Sequence, residues 1–170
     1  MYKVMQLGRD KFLEVYGDVF EGAPWLAERV WDTALDQQPN AFKLHHVFEN
    51  FIRASSDEQK LALLQNHPPL AVAAEKQDHL TPDSLAEQRG AGLDRCRPEE
   101  LVEFEDLNRR YQEKFGFPFI IAVKGLNPEQ ILEAFRARIS NTREEEFEKA
   151  LDEVIRIGWF RIEDRFEEIV

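Results

Sequence analysis

Apolar residues recur at intervals of three and four along most of this chain, and several of these stretches begin with a helix-capping pattern. The clearest pattern is Asn127-Pro128-Glu129-Gln130, which supplies a capping side chain, a proline at the first helical position and a glutamine three residues after the cap. The apolar residues that follow fall on one face of a helix: Ile131, Leu132, Phe135 and Ile139. A helix is therefore predicted from Pro128 onward.

Two longer helices are predicted from the same signals. Pro98 opens a helix that is expected to run to about Phe115, where Gly116 supplies a left-handed stop. From Asn141 an acidic run favours a helix start, and an apolar stripe continues from there to the end of the sequence. This last stretch is predicted to be one long helix, with Gly158 as its weak point. The charged run 143–148 is expected to be solvated helix surface.

The position of His67 follows from a helix end. The sequence Ser55-Ser56-Asp57-Glu58 predicts a capping box for a helix that ends near Asn66. The end is set by Pro68, because a proline disfavours helical geometry at the residue before it. His67 is therefore predicted to lie just beyond a helix C-terminus.

The remaining segments complete an all-α prediction. Earlier helices are expected at Arg9 to Val19, Pro24 to Leu35 and Ala41 to Arg53, and Thr81 is expected to cap a short helix that ends at Gly90 and Gly92. Residues 117–123 have the β-branched and aromatic content of a strand, but no partner strand is evident. They are predicted to form an extended, buried connection or a short helix. The expected fold is a single-domain helical bundle over residues 1–170.

Composition narrows the function classes. The 170 residues are 43% hydrophobic, which is enough for one core in a soluble, globular chain. The formal net charge of -11 repels phosphate backbones and anionic lipid, so neither nucleic acid nor a membrane is expected as a partner. An anionic substrate would need local cations or backbone donors. The lone Cys96 and the absence of a signal-peptide stretch predict a reducing cytoplasm, with Cys96 in a structural rather than a nucleophilic role.

Three groups of residues are candidates for chemistry. His67 could act as a general acid or base near neutral pH, although from spacing alone a histidine that bonds helix-terminal carbonyls is the better supported interpretation. Ser84 and Glu87 lie three apart on a predicted helix and would share a face, with the amide of Gln88 beside them; the alternative is that Glu87 is solvated. Residues 119–123 would offer main-chain groups to a ligand, or simply fill the core.

Other enzyme classes find less support. His45, His46 and Glu49 could be drawn as a metal cluster, but adjacent histidines point in different directions on a helix, and no metal site is expected. No phosphate-binding glycine loop or serine nucleophile motif is present in the sequence. A non-catalytic, acidic helical adaptor with a basic protein partner and a metal-dependent hydrolase remain as alternative hypotheses.

Several motifs together resemble the 2-oxo-4-hydroxy-4-carboxy-5-ureidoimidazoline (OHCU) decarboxylases of urate degradation. The central ones are His67-Pro68-Pro69-Leu70-Ala71, Ser84-Leu85-Ala86-Glu87-Gln88 followed by Ala91-Gly92-Leu93, and Lys114-Phe115-Gly116-Phe117-Pro118-Phe119-Ile120. Residues 20–27, Leu107-Asn108 with Tyr111, and Arg161 extend the similarity over most of the chain. The family commonly has Asp at the position of Pro69, which puts the loop geometry after His67 in question.

The resemblance implies an all-α fold, usually a homodimer, and a reaction that needs no cofactor and yields (S)-allantoin. It implies that His67 is the catalytic acid/base and Glu87 its carboxylate partner. The residues that it assigns to the substrate cradle are Pro68, Ser84, Leu85, Ala86, Glu87, Gln88 and the backbone of Phe119, Ile120, Ile121, Ala122 and Val123. Arg161 is the implied cation of the pocket.

Overall fold

A computed structural model describes residues 7–33, 39–72 and 74–169 of the chain. The regular secondary structure of these residues is helical, and no strand occurs among them. They form eight α-helices, which are α1 (Gly8–Tyr16), α2 (Pro24–Asp32), α3 (Ala41–Arg53), α4 (Asp57–Gln65), α5 (Pro82–Gly90), α6 (Pro98–Phe115), α7 (Pro128–Arg138) and α8 (Arg143–Ile169). Short 3-10 helices lie at Ala74–His79 and Leu93–Arg95. The all-α prediction is confirmed.

Helices with strong local signals begin and end where the sequence predicts. Asn127 and Gln130 form the capping box of α7, with hydrogen bonds of 2.9 and 3.1 Å. Ser56 caps α4, and its partner is Gln59, one residue beyond the predicted motif. α6 ends at Phe115 because Gly116 adopts a φ of 82°, a left-handed conformation that glycine accepts without strain.

Two early helices are shorter than predicted. α1 ends at Tyr16, and Val19, although 1% exposed, belongs to the turn that follows the helix. The predicted helix is too long because Val19, an apolar residue of the turn, fits the same apolar pattern as the residues of the helix. α2 ends at Asp32, where Thr33 turns to an extended conformation with ψ of 135°. The predicted end at Leu35 falls outside the described residues.

α8 is one continuous helix, as predicted, but Gly158 is not a weak point in it. The aromatic ring of Phe20 lies against Gly158 so closely that a Cβ atom there would overlap the ring. Phe20 is itself 4% exposed. The glycine therefore makes room for a buried aromatic side chain, and the helix tolerates its low propensity because the packing compensates.

Contacts between residues divide the chain into two compact units, Met1–Asn66 with Ile155–Val170, and His67–Val154. The first unit has a core that includes Phe12, Tyr16, Leu26, Leu44 and Phe48. The second has an aromatic core built from Phe104, Tyr111, Phe115, Phe117, Phe119 and Phe135. Within it the rings of Phe119 and Phe135 stack with centroids 3.9 Å apart. None of the described helices has the length and apolar character needed to cross a membrane.

Candidate active site

The short helix α5 presents the first group of predicted site residues. Thr81 caps it by accepting a hydrogen bond from the Ser84 N–H at 3.3 Å, and Pro82 occupies the first turn. Ser84 and Gln88 are buried, being 3% and 7% exposed, and Glu87 is half-buried. Ala86 faces solvent, as expected for the opposite side of the helix. The helix predicted here is present, and Ser84, Glu87 and Gln88 lie on its less exposed side.

The loop that follows α4 carries His67, which is half-buried and lies two residues beyond Gln65, the last residue of that helix. Gln88 binds this loop with both ends of its amide. Its Oε1 atom accepts a hydrogen bond from the Ala71 N–H at 3.0 Å, and its Nε2 atom donates to the Pro69 carbonyl at 3.2 Å. Asn108 on α6 donates from Nδ2 to the Leu70 carbonyl at 2.9 Å. Two amide side chains therefore bind three consecutive loop residues.

The segment 117–123 is neither helix nor strand, so of the two predicted forms the connection is found and the short helix is not. Phe119, Ile120, Ala122 and Val123 are buried, and Ile121 is half-buried. Arg138 donates from Nη1 to the Ile120 carbonyl at 2.6 Å, and the Ala122 N–H donates to Glu153 Oε2 at 3.0 Å. Between these two contacts, neither main-chain group of Ile121 has a hydrogen-bond partner among the described residues. Phe119 likewise has no main-chain hydrogen-bond partner among the described residues, but it is 0% exposed, whereas Ile121 is half-buried, so the peptide groups of Ile121 are the more accessible to a ligand.

A buried polar network supports this segment from the core. Glu146 is 0% exposed; its carboxylate accepts hydrogen bonds from Arg138 Nε at 2.9 Å, Tyr111 Oη at 2.7 Å and Asn141 Nδ2 at 3.0 Å. The guanidinium of Arg138 also lies over the Phe119 ring, 4.4 Å from its centroid. Burial, followed by the contact with Glu146, raises the pKa of the Tyr111 hydroxyl, so the hydroxyl keeps its proton and donates it.

The burial of Glu146 corrects one sequence-based expectation. The charged run 143–148 was expected to be solvated, and its other described acidic members, Glu144, Glu145 and Glu148, are exposed. Glu146 lies four residues before the buried Ala150 and therefore shares its helix face. The four-residue spacing from Ala150 is the sequence signal that identifies Glu146 as a buried residue. The expectation missed it because it treated the charged run as a whole and not residue by residue.

Arg161, the predicted cation of the pocket, lies in the first compact unit. It is 4% exposed and donates from Nη1 to the Val19 carbonyl at 2.9 Å and from Nη2 to Glu21 Oε1 at 3.2 Å. His67, Ser84 to Gln88 and Phe119 to Val123 all belong to the second unit. The role of Arg161 toward a substrate stays a prediction.

The residues of the alternative metal cluster have other contacts. Nε2 of His45 lies 2.8 Å from the Ile155 carbonyl oxygen, and Glu49 pairs with Arg53 at 2.9 Å. The His46 ring stacks on Phe42 with an interplanar angle of 3°. The described part of the chain contains no group of three potential ligands that could hold a metal ion. The described residues therefore offer no metal site for the hydrolase hypothesis.

The surroundings of Cys96 disfavour its thiolate form. Burial, and then the nearby carboxylates of Glu100 and Asp94, raise the pKa of its thiol to about 11. The thiolate is the nucleophilic form of cysteine, and at neutral pH a thiol with this pKa is almost entirely protonated. This environment disfavours a nucleophilic role for Cys96 at neutral pH, and the structural role stays a prediction.

Comparison with known proteins decides the family. A family model described as OHCU decarboxylase matches residues 5–163, almost the whole chain. The chain belongs to the OHCU decarboxylase family. The 2-oxo-4-hydroxy-4-carboxy-5-ureidoimidazoline decarboxylase of Halalkalicoccus jeotgali is 38% identical over 161 residues, which cover 94% of this chain and 87% of that protein. The protein of the same name from Haloferax volcanii is 36% identical, over 98% of this chain and 95% of the relative.

The fold of this OHCU decarboxylase family member also resembles a solved structure. The crystal structure of (S)-allantoin synthase superposes with a TM-score of 0.77 and 28% sequence identity. The similarity covers 95% of this chain and 53% of that one, so the chain spans about half of the solved protein. The fold of the chain is therefore similar to that of the solved (S)-allantoin synthase.

Proposed function

We propose that this chain removes carbon dioxide from OHCU without a cofactor and forms (S)-allantoin in urate degradation, as a carboxy-lyase. The match of the OHCU decarboxylase family over residues 5–163 carries the proposal. The relatives that bear the decarboxylase name cover most of the chain at 36 to 38% identity. The matched residues include the loop of His67, helix α5 and the segment 117–123.

The reaction makes modest demands on a protein. When the bond between the ring and its carboxylate breaks, the electron pair moves into the adjacent unsaturated ring, and carbon dioxide leaves. The ring nitrogen that receives the electron pair takes up one proton. A second proton is added to the ring carbon that bears the ureido group, while the neighbouring hydroxyl loses its proton and becomes a carbonyl, so that the overall change is loss of carbon dioxide and gain of one proton. The protein needs to orient the ring, to weaken hydration of the carboxylate and to deliver a proton to one face.

The described residues suit these tasks. An imidazole side chain is suited to both accepting and donating a proton, which is the role proposed for His67, and the carboxylate of Glu87 is the proposed partner that orients it. A ureido group has N–H donors and a carbonyl acceptor, which complement the main-chain groups of Ile121 and the hydroxyl of Ser84. Proton delivery from one fixed side chain would give a single enantiomer.

Product stereochemistry provides the direct test. OHCU is generated in place from urate by urate oxidase and hydroxyisourate hydrolase, and circular dichroism follows allantoin with and without this protein. We expect (S)-allantoin to appear much faster in its presence than in the spontaneous reaction. Slow formation of racemic product at the uncatalysed rate would contradict the proposal and favour the non-catalytic adaptor hypothesis.

We also propose that the chain folds as one domain, forms a homodimer and works in the cytoplasm. The single Cys96 is consistent with a reducing compartment, and the family resemblance implies two copies. Sedimentation equilibrium at micromolar concentration is expected to give twice the mass of the chain. A mass of one chain at all concentrations would remove the homodimer from the proposal.

A further inference from the structure

The loop 68–71 is poor in groups that could stabilise it from within. Pro68 and Pro69 have no N–H groups, so only Leu70 and Ala71 bring donors to these four residues. The contacts that fix the loop come instead from outside it: Gln88 binds residues 69 and 71, and Asn108 binds residue 70. Its conformation therefore depends on side chains of α5 and α6.

The backbone conformation of Ala71 indicates that contacts from outside the loop hold it in an unfavourable geometry. Its φ is +53°, and among the described residues it is the one non-glycine residue with a positive φ. An alanine in the left-handed region is unfavourable, and such geometry persists only where the surroundings enforce it. The Ala71 N–H is held by Gln88, and the carbonyl of the preceding residue is held by Asn108.

The side chain of Asn108 combines this hydrogen bond with a buried acceptor that opposes folding. Its Oδ1 atom is buried and has no hydrogen-bond partner among the described residues. A buried acceptor without a partner opposes folding, so an apolar side chain would suit this place better if packing were its only role. The feature that asparagine adds is the Nδ2 donor, and that donor binds the Leu70 carbonyl.

We propose that Asn108, together with Gln88, is a positioning residue for the decarboxylation, since it holds the loop that carries His67. This inference rests on the proposed function and on the acid/base role of His67. Both residues after His67 are prolines, whose rings fix φ at about −65°, so the backbone between His67 and Leu70 has little conformational freedom. A displacement of Leu70 is therefore transmitted to the imidazole of His67. Gln88 thus acts through the loop, in addition to its predicted place in the substrate cradle.

The test replaces Asn108 with leucine, which has a similar volume and no donor, in the full-length protein. We expect amide hydrogen exchange at Ala71 to become at least about tenfold faster, because the loop opens more often. We expect kcat for OHCU to fall about 10- to 100-fold with little change in KM, because displacement of a catalytic group by about 1 Å has effects of this size. Asn108→Ala serves as a second variant if the leucine variant does not fold.

Two further variants separate positioning from general loosening of α6. Phe104→Leu removes part of a buried ring of the same helix that packs against Phe135, and it should leave both the Ala71 exchange rate and kcat nearly unchanged. Ala71→Gly in the Asn108→Leu background should recover at least about threefold in kcat, because glycine adopts a positive φ without strain. A purely structural role for Asn108 predicts no such recovery.

The outcomes distinguish this inference from the proposed function. Unchanged exchange at Ala71, or a loss of kcat no greater than that of Phe104→Leu, would overturn the inference while the unaltered chain still turns over OHCU. If the unaltered chain has no activity toward OHCU, the proposed function fails and the catalytic role of Asn108 fails with it. In that case the exchange rates still decide whether Asn108 holds the loop.

Discussion

Replacement of His67 by alanine is expected to lower kcat for OHCU by about 10²- to 10⁴-fold, the contribution typical of a positioned general acid or base. The physical reason is that the ring carbon must take up a proton after carbon dioxide leaves, and water delivers that proton slowly and to either face. The half-buried position of His67 on a loop bound by Gln88 and Asn108 would fix the direction of delivery. The measurement is allantoin formation followed by circular dichroism under saturating OHCU.

His79 offers a matched control for this substitution. It lies in the same compact unit, in the 3-10 helix Ala74–His79, and its side chain is exposed. His79→Ala should therefore retain the unaltered kcat, and the residual product of His67→Ala should have lost its enantiomeric excess. A His67→Ala variant that keeps both full turnover and (S)-allantoin as its single product would falsify the acid/base role. Racemic product at an undiminished rate would limit His67 to the choice of face.

Features encoded within a few residues could be predicted from the sequence. The cap at Asn127, the stop at Gly116 and the helix end before His67 each depend on side chains and φ preferences of neighbouring residues, and each is found where it was expected. The same holds for α5, whose cap at Thr81 precedes a proline. Local chemistry thus determined where the predicted catalytic residues lie on their helices and loops.

Features that depend on distant partners could not be predicted in this way. The sequence pattern does not reveal that Phe20 fills the space beside Gly158, or that Glu153 binds the Ala122 N–H. Nor does it reveal that the amide of Gln88 spans two residues of the His67 loop. Such contacts join residues many positions apart, and their partners are chosen by packing geometry that no single stretch encodes.

A pair of arginines on α7 leads to the prediction with the largest expected effect on stability. Arg138 and its partner Glu146 have side chains that are 9% and 0% exposed, whereas Arg136 and its partner Glu103 are 52% and 35% exposed. Arg138→Met removes the cation and keeps an unbranched stem, so it leaves the Glu146 carboxylate buried without its charge partner. We expect the free energy of unfolding to fall by about 3 to 5 kcal/mol, the usual consequence of breaking a buried ion pair.

Arg136→Met is the control, because it removes the same side chain two positions away on the same helix. Its ion pair is surrounded by water, so we expect a change within the error of a urea unfolding curve monitored by far-UV circular dichroism. The double variant Arg138→Met with Glu146→Gln should recover part of the lost stability, because it removes the unpaired charge as well. Equal losses for the two single variants would mean that the burial of Glu146 contributes nothing.

Arg138 also donates a hydrogen bond to the Ile120 carbonyl, next to the Ile121 peptide that is proposed to contact OHCU. A variant of Arg138 that still folds is therefore expected to bind OHCU more weakly.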